Sequence, residues 1–196
     1  MKSESTKLET QEQNSKSWTF VCNERKGDVE RVVRPLNWTI EDIRTFWEKA
    51  KPHKVLFWQE IDNDFQKFIE CFFYQDSDGS LQANGLFYVV DDFVGLLYIT
   101  DIRPMVDAQC HFVFFDGGLR GRKPLVAGML KVIFETYKFH RLSVEIPVYS
   151  RKALFNFTES LGFQFEGKRR EAVFFDKGYF DVIQYYLLKR DFLKVE

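Results

Sequence analysis

The sequence predicts an α/β protein built on a mixed sheet, and three observations predict this class. Short β-prone apolar runs alternate along the chain with segments whose apolar residues recur at helical spacing. The 196 residues include 22 Phe, 8 Tyr and 4 Trp, an aromatic content that excludes an intrinsically disordered chain. Only 11 Gly and 5 Pro are present, which excludes collagen-like and low-complexity classes. The length suits one domain with a core of its own.

The predicted elements follow the order strand, two helices, three strands, helix, strand, helix and two strands. The strands are apolar runs bounded by turn residues, and they cover residues 29–36, 85–90, 93–100, 109–115 and 141–148, with the last two around residues 176–178. The helices show apolar residues at helical spacing and cover residues 40–51, 62–73, 124–137 and 151–161. The strand–helix–strand unit over residues 109–148 is expected to be a right-handed parallel crossover.

Local start and stop signals support these boundaries. Thr39 opens a capping-box spacing before the first helix. Residues 91–92 provide the tight turn of a hairpin between two strands. Pro124 stands where its fixed φ suits the first turn of a helix, and the last helix lies between a capping Ser150 and the stop signal Gly162.

Charge, cysteine usage and the N-terminus exclude several classes of partner. Lys and Arg total 28 and Asp and Glu 29, so the net charge of -1 gives no bulk field for nucleic acid or an anionic membrane. The three cysteines lack metal-ligand spacing, which is typical of reduced thiols in a cytoplasmic protein. No run approaches the about 20 apolar residues of a membrane span.

Residues 1–17 are predicted to form a solvated tail. They lack the apolar segment of a signal peptide and contain one apolar side chain after Met1, that of Leu8. Such a segment cannot bury enough surface to order itself, so it is expected to order only against a protein partner. Residues 18–196 then make up the single folded domain.

The most promising anion site is the loop between the predicted strand over residues 109–115 and the predicted helix over residues 124–137. Residues 115–124 read FDGGLRGRKP, and a strand that enters a helix in this way places free amides beside the positive end of the helix dipole. The pattern fits a pyrophosphate cradle, and it equally fits a solvated basic turn. Walker A, GxGxxG, GxSxG and HExxH motifs do not occur, so the main sequence support for NTP hydrolases, Rossmann dehydrogenases, serine hydrolases and zincins is missing.

Several short segments of the C-terminal half carry a family resemblance. They are FE at 134–135, HRL at 140–142, EIP at 145–147, LGF at 161–163, EGKRRE at 166–171 and the run from Asp181 to Arg190. In this order they resemble the GNAT acyltransferase superfamily, in particular the branch of ribosomal-protein and amino-acid N-acetyltransferases. The resemblance is strong over residues 109–192, weaker over residues 18–108 and absent from the tail.

The resemblance implies both a fold and a reaction. Two central parallel strands, residues 109–115 and 141–148, would splay apart in a mixed sheet flanked by helices, and the pantetheine arm of acetyl-CoA would lie in the gap. An amine of a protein, peptide or small molecule would attack the thioester directly. The cofactor-binding residues are then expected to be Phe114, Phe115, Gly118, Arg120, Gly121, Arg122, Lys123 and Arg151.

The basic loop departs from the family signature, which is Gln/Arg-x-x-Gly-x-Gly/Ala. A register that starts at Arg120 puts Lys123 and Leu125 where the family has small residues. A shifted register puts Gly118 or Gly121 at the point where backbone must approach the pyrophosphate closely. Either the cradle is remodelled with basic side chains, or the cofactor is no longer bound.

The candidate catalytic residues also depart from the family. Many relatives carry an Asn near the start of the last helix and a Tyr or Ser that acts as acid on the thiolate. The aligned residues here are Arg151 for the Asn, Leu154 for the Ser and Thr158 for the Tyr. Tyr149 and Ser150 are candidates that could substitute. Asp101 and His111 are candidate general bases, although a turn residue and a satisfied core histidine are the ordinary structural alternatives.

Two functions follow from these observations. The first is acetyl transfer from acetyl-CoA to an amine. The second is a catalytically degenerate GNAT-fold protein that serves as a binding or structural module, because the signature glycines and the Asn and Tyr of the last helix are both missing. Compact GNAT proteins with this arginine-rich turn resemble those carried by bacteriophages, which would imply an accessory role in a particle. The phenylalanines bear on this choice, since Phe115, Phe155 and Phe157 are expected near the gap and could fill it.

Overall fold

The computed structural model describes most of the chain from Ser17 onwards. The described residues are 17–22, 27–37, 39–53, 64–75, 77, 79, 81–117 and 119–194. Apart from Ser17, the tail predicted over residues 1–17 lies outside these ranges. Within them, no helix is both long enough and apolar enough to cross a membrane.

The described strands and helices follow the predicted order, with one strand added before the first predicted one, two short strands added after the second helix and a short helix added at the end. The strands are β1 (Trp18–Cys22), β2 (Val29–Pro35), β3 (Phe73–Gln75), β4 (Leu81–Ala83), β5 (Leu86–Val90), β6 (Gly95–Arg103), β7 (Asp107–Phe114), β8 (Arg141–Pro147), β9 (Gln164–Phe175) and β10 (Gly178–Leu188). The helices are α1 (Ile40–Ala50), α2 (Phe65–Phe72), α3 (Arg122–Tyr137), α4 (Lys152–Ser160) and α5 (Lys189–Phe192).

One large sheet organises the molecule, in the order β1-β2-β5-β6-β7-β8-β10-β9. Its neighbouring strands are antiparallel, except for β7 and β8, which are parallel and joined through α3. The predicted mixed α/β class is therefore confirmed, and so is the hairpin of β5 and β6. Strands β3 and β4 form a separate short ribbon.

Strands β7 and β8 pair over only the first part of their length. Residues 107–109 of β7 are in register with residues 141–143 of β8. Both strands continue well past the last pair, to Phe114 and Pro147. The two strands therefore splay apart towards their C-terminal ends, where β7 leads into the basic loop and α3.

The sheet separates two hydrophobic clusters, and the side chains of β7 alternate between them. Cys110 belongs to the cluster that contains Leu130 of α3. Val113 belongs to the other cluster, with Phe46 of α1 and Phe68 of α2. The gap between β7 and β8 consequently has one side towards α3 and α4 and another towards α1 and α2.

Three predictions of where elements begin or end require correction because of how the elements pair and cap. The N-cap of α4 is Arg151 rather than Ser150. Helix α3 begins at Arg122 rather than at Pro124, so Arg122 and Lys123 belong to its first turn. Strand β6 runs to Arg103, because its end continues the pairing with β7 across an irregularity that contains Asp101, whose φ is 49°. Asp101 is thus an exposed strand residue and not part of a turn.

Candidate functional site

The basic loop ends in a helix start that suits an anion. Gly121 is the N-cap of α3, with a left-handed φ of 78°, and its carbonyl accepts the first helical hydrogen bond from Leu125 N–H at 3.0 Å. The first turn therefore leaves the N–H groups of Arg122 and Lys123 without helical acceptors, at the positive end of the dipole. These amides lie at the C-terminal end of β7, beside the gap.

The structure brings some of the predicted basic side chains to this helix start and turns another away. The Arg122 guanidinium lies over the Phe114 ring, with Cζ 6.0 Å from the ring centroid, and Lys123 is exposed. Arg120 Nη2 instead donates to the Gly27 carbonyl at 3.1 Å. Arg151 is the exposed N-cap of α4, in the short connection that follows the C-terminal end of β8, so it lies at the same edge of the sheet. Gly118 lies outside the described residues.

The hairpin of β1 and β2 holds the basic loop in place. Arg31 donates from Nε and Nη2 to the Arg120 carbonyl, at 3.3 and 3.1 Å, and from Nη1 to Asp91 Oδ2 at 2.8 Å. Gly121 packs so closely on this hairpin that a Cβ added to it would lie 2.7 Å from Cys22 Cβ. The conformation of the loop is therefore fixed by contacts with a segment that is distant in sequence.

Aromatic rings connect β7 across the gap to α4 and to the segment that follows it. Phe114 meets Phe157 of α4 edge-on, with ring centroids 6.4 Å apart, and Phe112 meets Phe163, which lies between α4 and β9, at 6.2 Å. These contacts lie on the side of the gap that faces α3 and α4. Phe115 projects to the other side, where its ring centroid is 5.6 Å from that of His53.

His111 lies on the side of the gap that faces α1 and α2, half-buried and stacked on Tyr98. The two ring centroids are 4.2 Å apart with an interplanar angle of 5°, and His111 Nε2 is 3.0 Å from Thr100 Oγ1. Burial lowers the pKa of His111 to about 4, because the charged imidazolium loses solvation. The imidazole is therefore neutral at neutral pH and can accept a proton, although as a weak base.

Two hydroxyl groups in the segment that follows β8 are buried. Tyr149, two residues after the end of β8, stacks on Phe175 at 4.7 Å and meets Phe180 edge-on at 5.0 Å. Thr158 of α4 is 0% exposed. Among the described residues neither hydroxyl has a hydrogen-bond partner. Burial raises the pKa of Tyr149, which therefore keeps its proton at neutral pH and remains a possible donor.

Sequence reasoning missed the role of Glu145 on β8. Its side chain is 11% exposed, and Oε1 accepts hydrogen bonds from Arg169 Nη1 and Gln184 Nε2, both at 2.9 Å. The parallel register places Glu145 in the same lateral row as His111, on the opposite side of the gap. The only sequence signal for this residue was its place in the EIP segment of the resemblance.

Comparisons with solved structures agree with this geometry. A probable acetyltransferase is 18% identical, with a TM-score of 0.60, and the match covers 89% of this chain and 98% of that one. The spermidine N-acetyltransferase from Vibrio cholerae in complex with CoA and spermine is 21% identical, with a TM-score of 0.68 and coverage of 83% and 98%. A dodecameric structure of spermidine N-acetyltransferase from Vibrio cholerae is 18% identical, with a TM-score of 0.61, and the match covers 85% of this chain and 98% of that one. No family model matches the chain, and no curated protein sequence matches it.

The fold, with its splayed parallel pair, is that of GNAT acyltransferases, as the resemblance in the sequence implied. Among the solved structures with this fold, the similar ones include spermidine N-acetyltransferases. At 18–21% identity this similarity shows the fold. The narrower resemblance to the ribosomal-protein branch stays a prediction.

Proposed function

We propose that the protein is an N-acyltransferase that moves an acetyl group from acetyl-CoA to an amine of a protein, peptide or small molecule. The observation that carries the proposal is the separation of β7 from β8 directly beside a basic helix start. The separated strand edges have backbone groups available for an extended ligand, as the pantetheine arm requires. The similar Vibrio cholerae enzyme was solved with CoA and spermine, which supports an acyl-CoA donor and an amine acceptor.

The residues present fit such a cofactor. The amides of Arg122 and Lys123, with their charged side chains, would hold the pyrophosphate, and Arg151 lies at the same edge. Bound acetyl-CoA would supply the activated acetyl thioester. In the transfer, the amine nitrogen would form its bond to the acetyl carbon while the C–S bond breaks, so the amine must lose one proton and the sulfur must gain one. Neutral His111 can accept the first proton, and the Tyr149 hydroxyl can donate the second.

Removing the two basic side chains of the first turn of α3 is expected to weaken acetyl-CoA binding by about 10-fold to 100-fold, because each loses a charge-assisted contact with phosphate. Isothermal calorimetry compares the wild type with Arg122→Ala/Lys123→Ala. The double variant Arg170→Ala/Lys177→Ala removes the same charge from exposed positions of β9 and the β9–β10 turn, and should bind like the wild type. No binding to the wild type at millimolar acetyl-CoA would contradict the proposed function.

Arg31 is expected to act as a positioning residue for the same loop. Arg31→Gln loses both bonds to the Arg120 carbonyl, so acetyl-CoA affinity should fall by about threefold to tenfold, which corresponds to one or two hydrogen bonds. Arg34→Gln is the matched control, since it removes an ion pair of the same strand, with Asp42 at 2.8 Å, away from the loop. Equal affinities for the two variants would show that the hairpin does not set the loop conformation.

A second candidate is a binding module without catalysis, and one observation favours it. The contacts of Phe114 with Phe157 and of Phe112 with Phe163 span the gap on the side of α3 and α4. A gap closed in this way would exclude the pantetheine arm. Release of free CoA thiol with an amine acceptor, lost in Arg122→Ala/Lys123→Ala, would contradict this second function.

A further inference from the structure

A stack of three rings crosses neighbouring strands and ends at the gap. Phe87, Tyr98 and His111 are register partners on β5, β6 and β7. The centroids of the Phe87 and Tyr98 rings are 5.4 Å apart with an interplanar angle of 6°, and those of Tyr98 and His111 are 4.2 Å apart with an angle of 5°. The rings thus follow the spacing of the strands, about 4.8 Å, as one nearly parallel row.

Within the part of the chain that the structure describes, the row has no ring at its next position. Two residues beyond the last register pair of β7 and β8, the position beside His111 is occupied by Glu145. Its carboxylate bonds to Gln184 of β10 and Arg169 of β9, and therefore turns away from β7. Among the described residues, Tyr98 covers one face of the imidazole and no aromatic side chain covers the other.

The chemistry of His111 suits a planar, uncharged contact. Its imidazole is neutral, because burial lowers the pKa, and Nε2 is engaged with Thr100 Oγ1 in the plane of the ring. The carboxylate nearest in the row, that of Glu145, is balanced by Arg169. What remains towards the gap is therefore an aromatic face rather than a charge.

We propose that the acceptor is an amine that carries an aromatic ring, and that this ring stacks on the face of His111 opposite Tyr98 as the fourth member of the row. The inference rests on the proposed function and assigns a substrate class to the same site. A stacked aromatic pair is expected to bind about threefold to tenfold tighter than the same amine with a saturated ring.

The test measures equilibrium binding, so it does not depend on turnover. Phenethylamine and 2-cyclohexylethylamine have the same chain length and charge, and each is titrated by calorimetry into the protein saturated with CoA. The wild type should bind phenethylamine at least threefold tighter. His111→Phe keeps a planar aromatic ring and should still bind phenethylamine tighter than 2-cyclohexylethylamine. His111→Leu has no aromatic ring and should bind the two amines equally. Thermal melts of both variants check that the fold is retained.

The outcomes separate the two proposals. Failure of the wild type to bind CoA overturns the proposed function and, with it, the acceptor class. Binding of CoA with equal affinity for the two amines, or with no affinity for either, overturns the acceptor class and leaves the proposed function standing. A preference that survives in His111→Leu places the aromatic contact elsewhere and also overturns the inference.

Discussion

Replacing Gly121 with alanine is expected to lower the free energy of unfolding by about 2–4 kcal/mol, which combines the strain of a side chain at positive φ with that of overpacking. The residue has a φ of 78°, a conformation that L side chains rarely adopt. The added Cβ would also meet Cys22 Cβ at 2.7 Å, so the hairpin of β1 and β2 must move. Because Arg31 of this hairpin bonds to the Arg120 carbonyl, acetyl-CoA binding should weaken together with stability.

Gly117 provides the matched control within the same loop. A Cβ at this position would meet nothing within 4 Å, so Gly117→Ala should change stability by less than about 0.5 kcal/mol. Urea unfolding of the two variants measures the difference at constant pH. If both alanines were equally tolerated, the close approach between the loop and Cys22 would be wrong.

Much of the fold could be predicted because its central elements have strong local signals. The apolar runs of β5 to β8 and the helical spacing of α3 are each visible without knowledge of the rest of the chain. Strand β1 was missed because it is short and alternately exposed, and its burial depends on distant glycines. Phe20 lies against Gly128, where an added Cβ would meet the ring at 2.6 Å. No local pattern predicts such a contact.

The sequence could predict only those features of the candidate site that follow from the order of strands, loops and helices along the chain. A strand followed by a basic loop and a helix places Arg122 and Lys123 at a helix start whatever the surroundings are. The direction of the Arg120 side chain depends instead on the Gly27 carbonyl. Glu145 could not be recognised either, because its relation to His111 follows from the lateral register of two strands.

The phenylalanines of β7 show what a strand next to a gap requires. Phe112 and Phe114 project towards α4, and Phe115 projects towards His53. The gap therefore has an aromatic side near α3 and α4, whereas its opposite side also carries polar groups, among them His111 and Glu145. This division suits a reaction in which an apolar arm and a polar amine approach from different sides.

Substitution of His111 by phenylalanine is expected to make the protein more resistant to acid. In the folded state burial lowers the pKa of His111 from its ordinary 6.5 to about 4, so the unfolded chain binds this proton at higher pH than the folded chain does. Above about pH 7 the imidazole is neutral in both states and has no effect on the pH dependence. As the pH falls from 6.5 towards 4, the unfolded state is increasingly favoured. By pH 4.5 the wild type should lose about 2–3 kcal/mol through this residue.

The measurement is urea unfolding at pH 7.5 and pH 4.5. His111→Phe should lose less stability between the two values than the wild type, by about 2–3 kcal/mol, since it cannot take up the proton. His140→Gln, at an exposed position, is the matched control and should retain the wild-type dependence. Equal losses for all three proteins would mean that the imidazole is not held neutral beside Tyr98.

The lowered pKa of His111 also affects the expected pH dependence of the reaction rate. If His111 is the base, the rate of acetyl transfer should fall with acid near pH 4 rather than near pH 6.5.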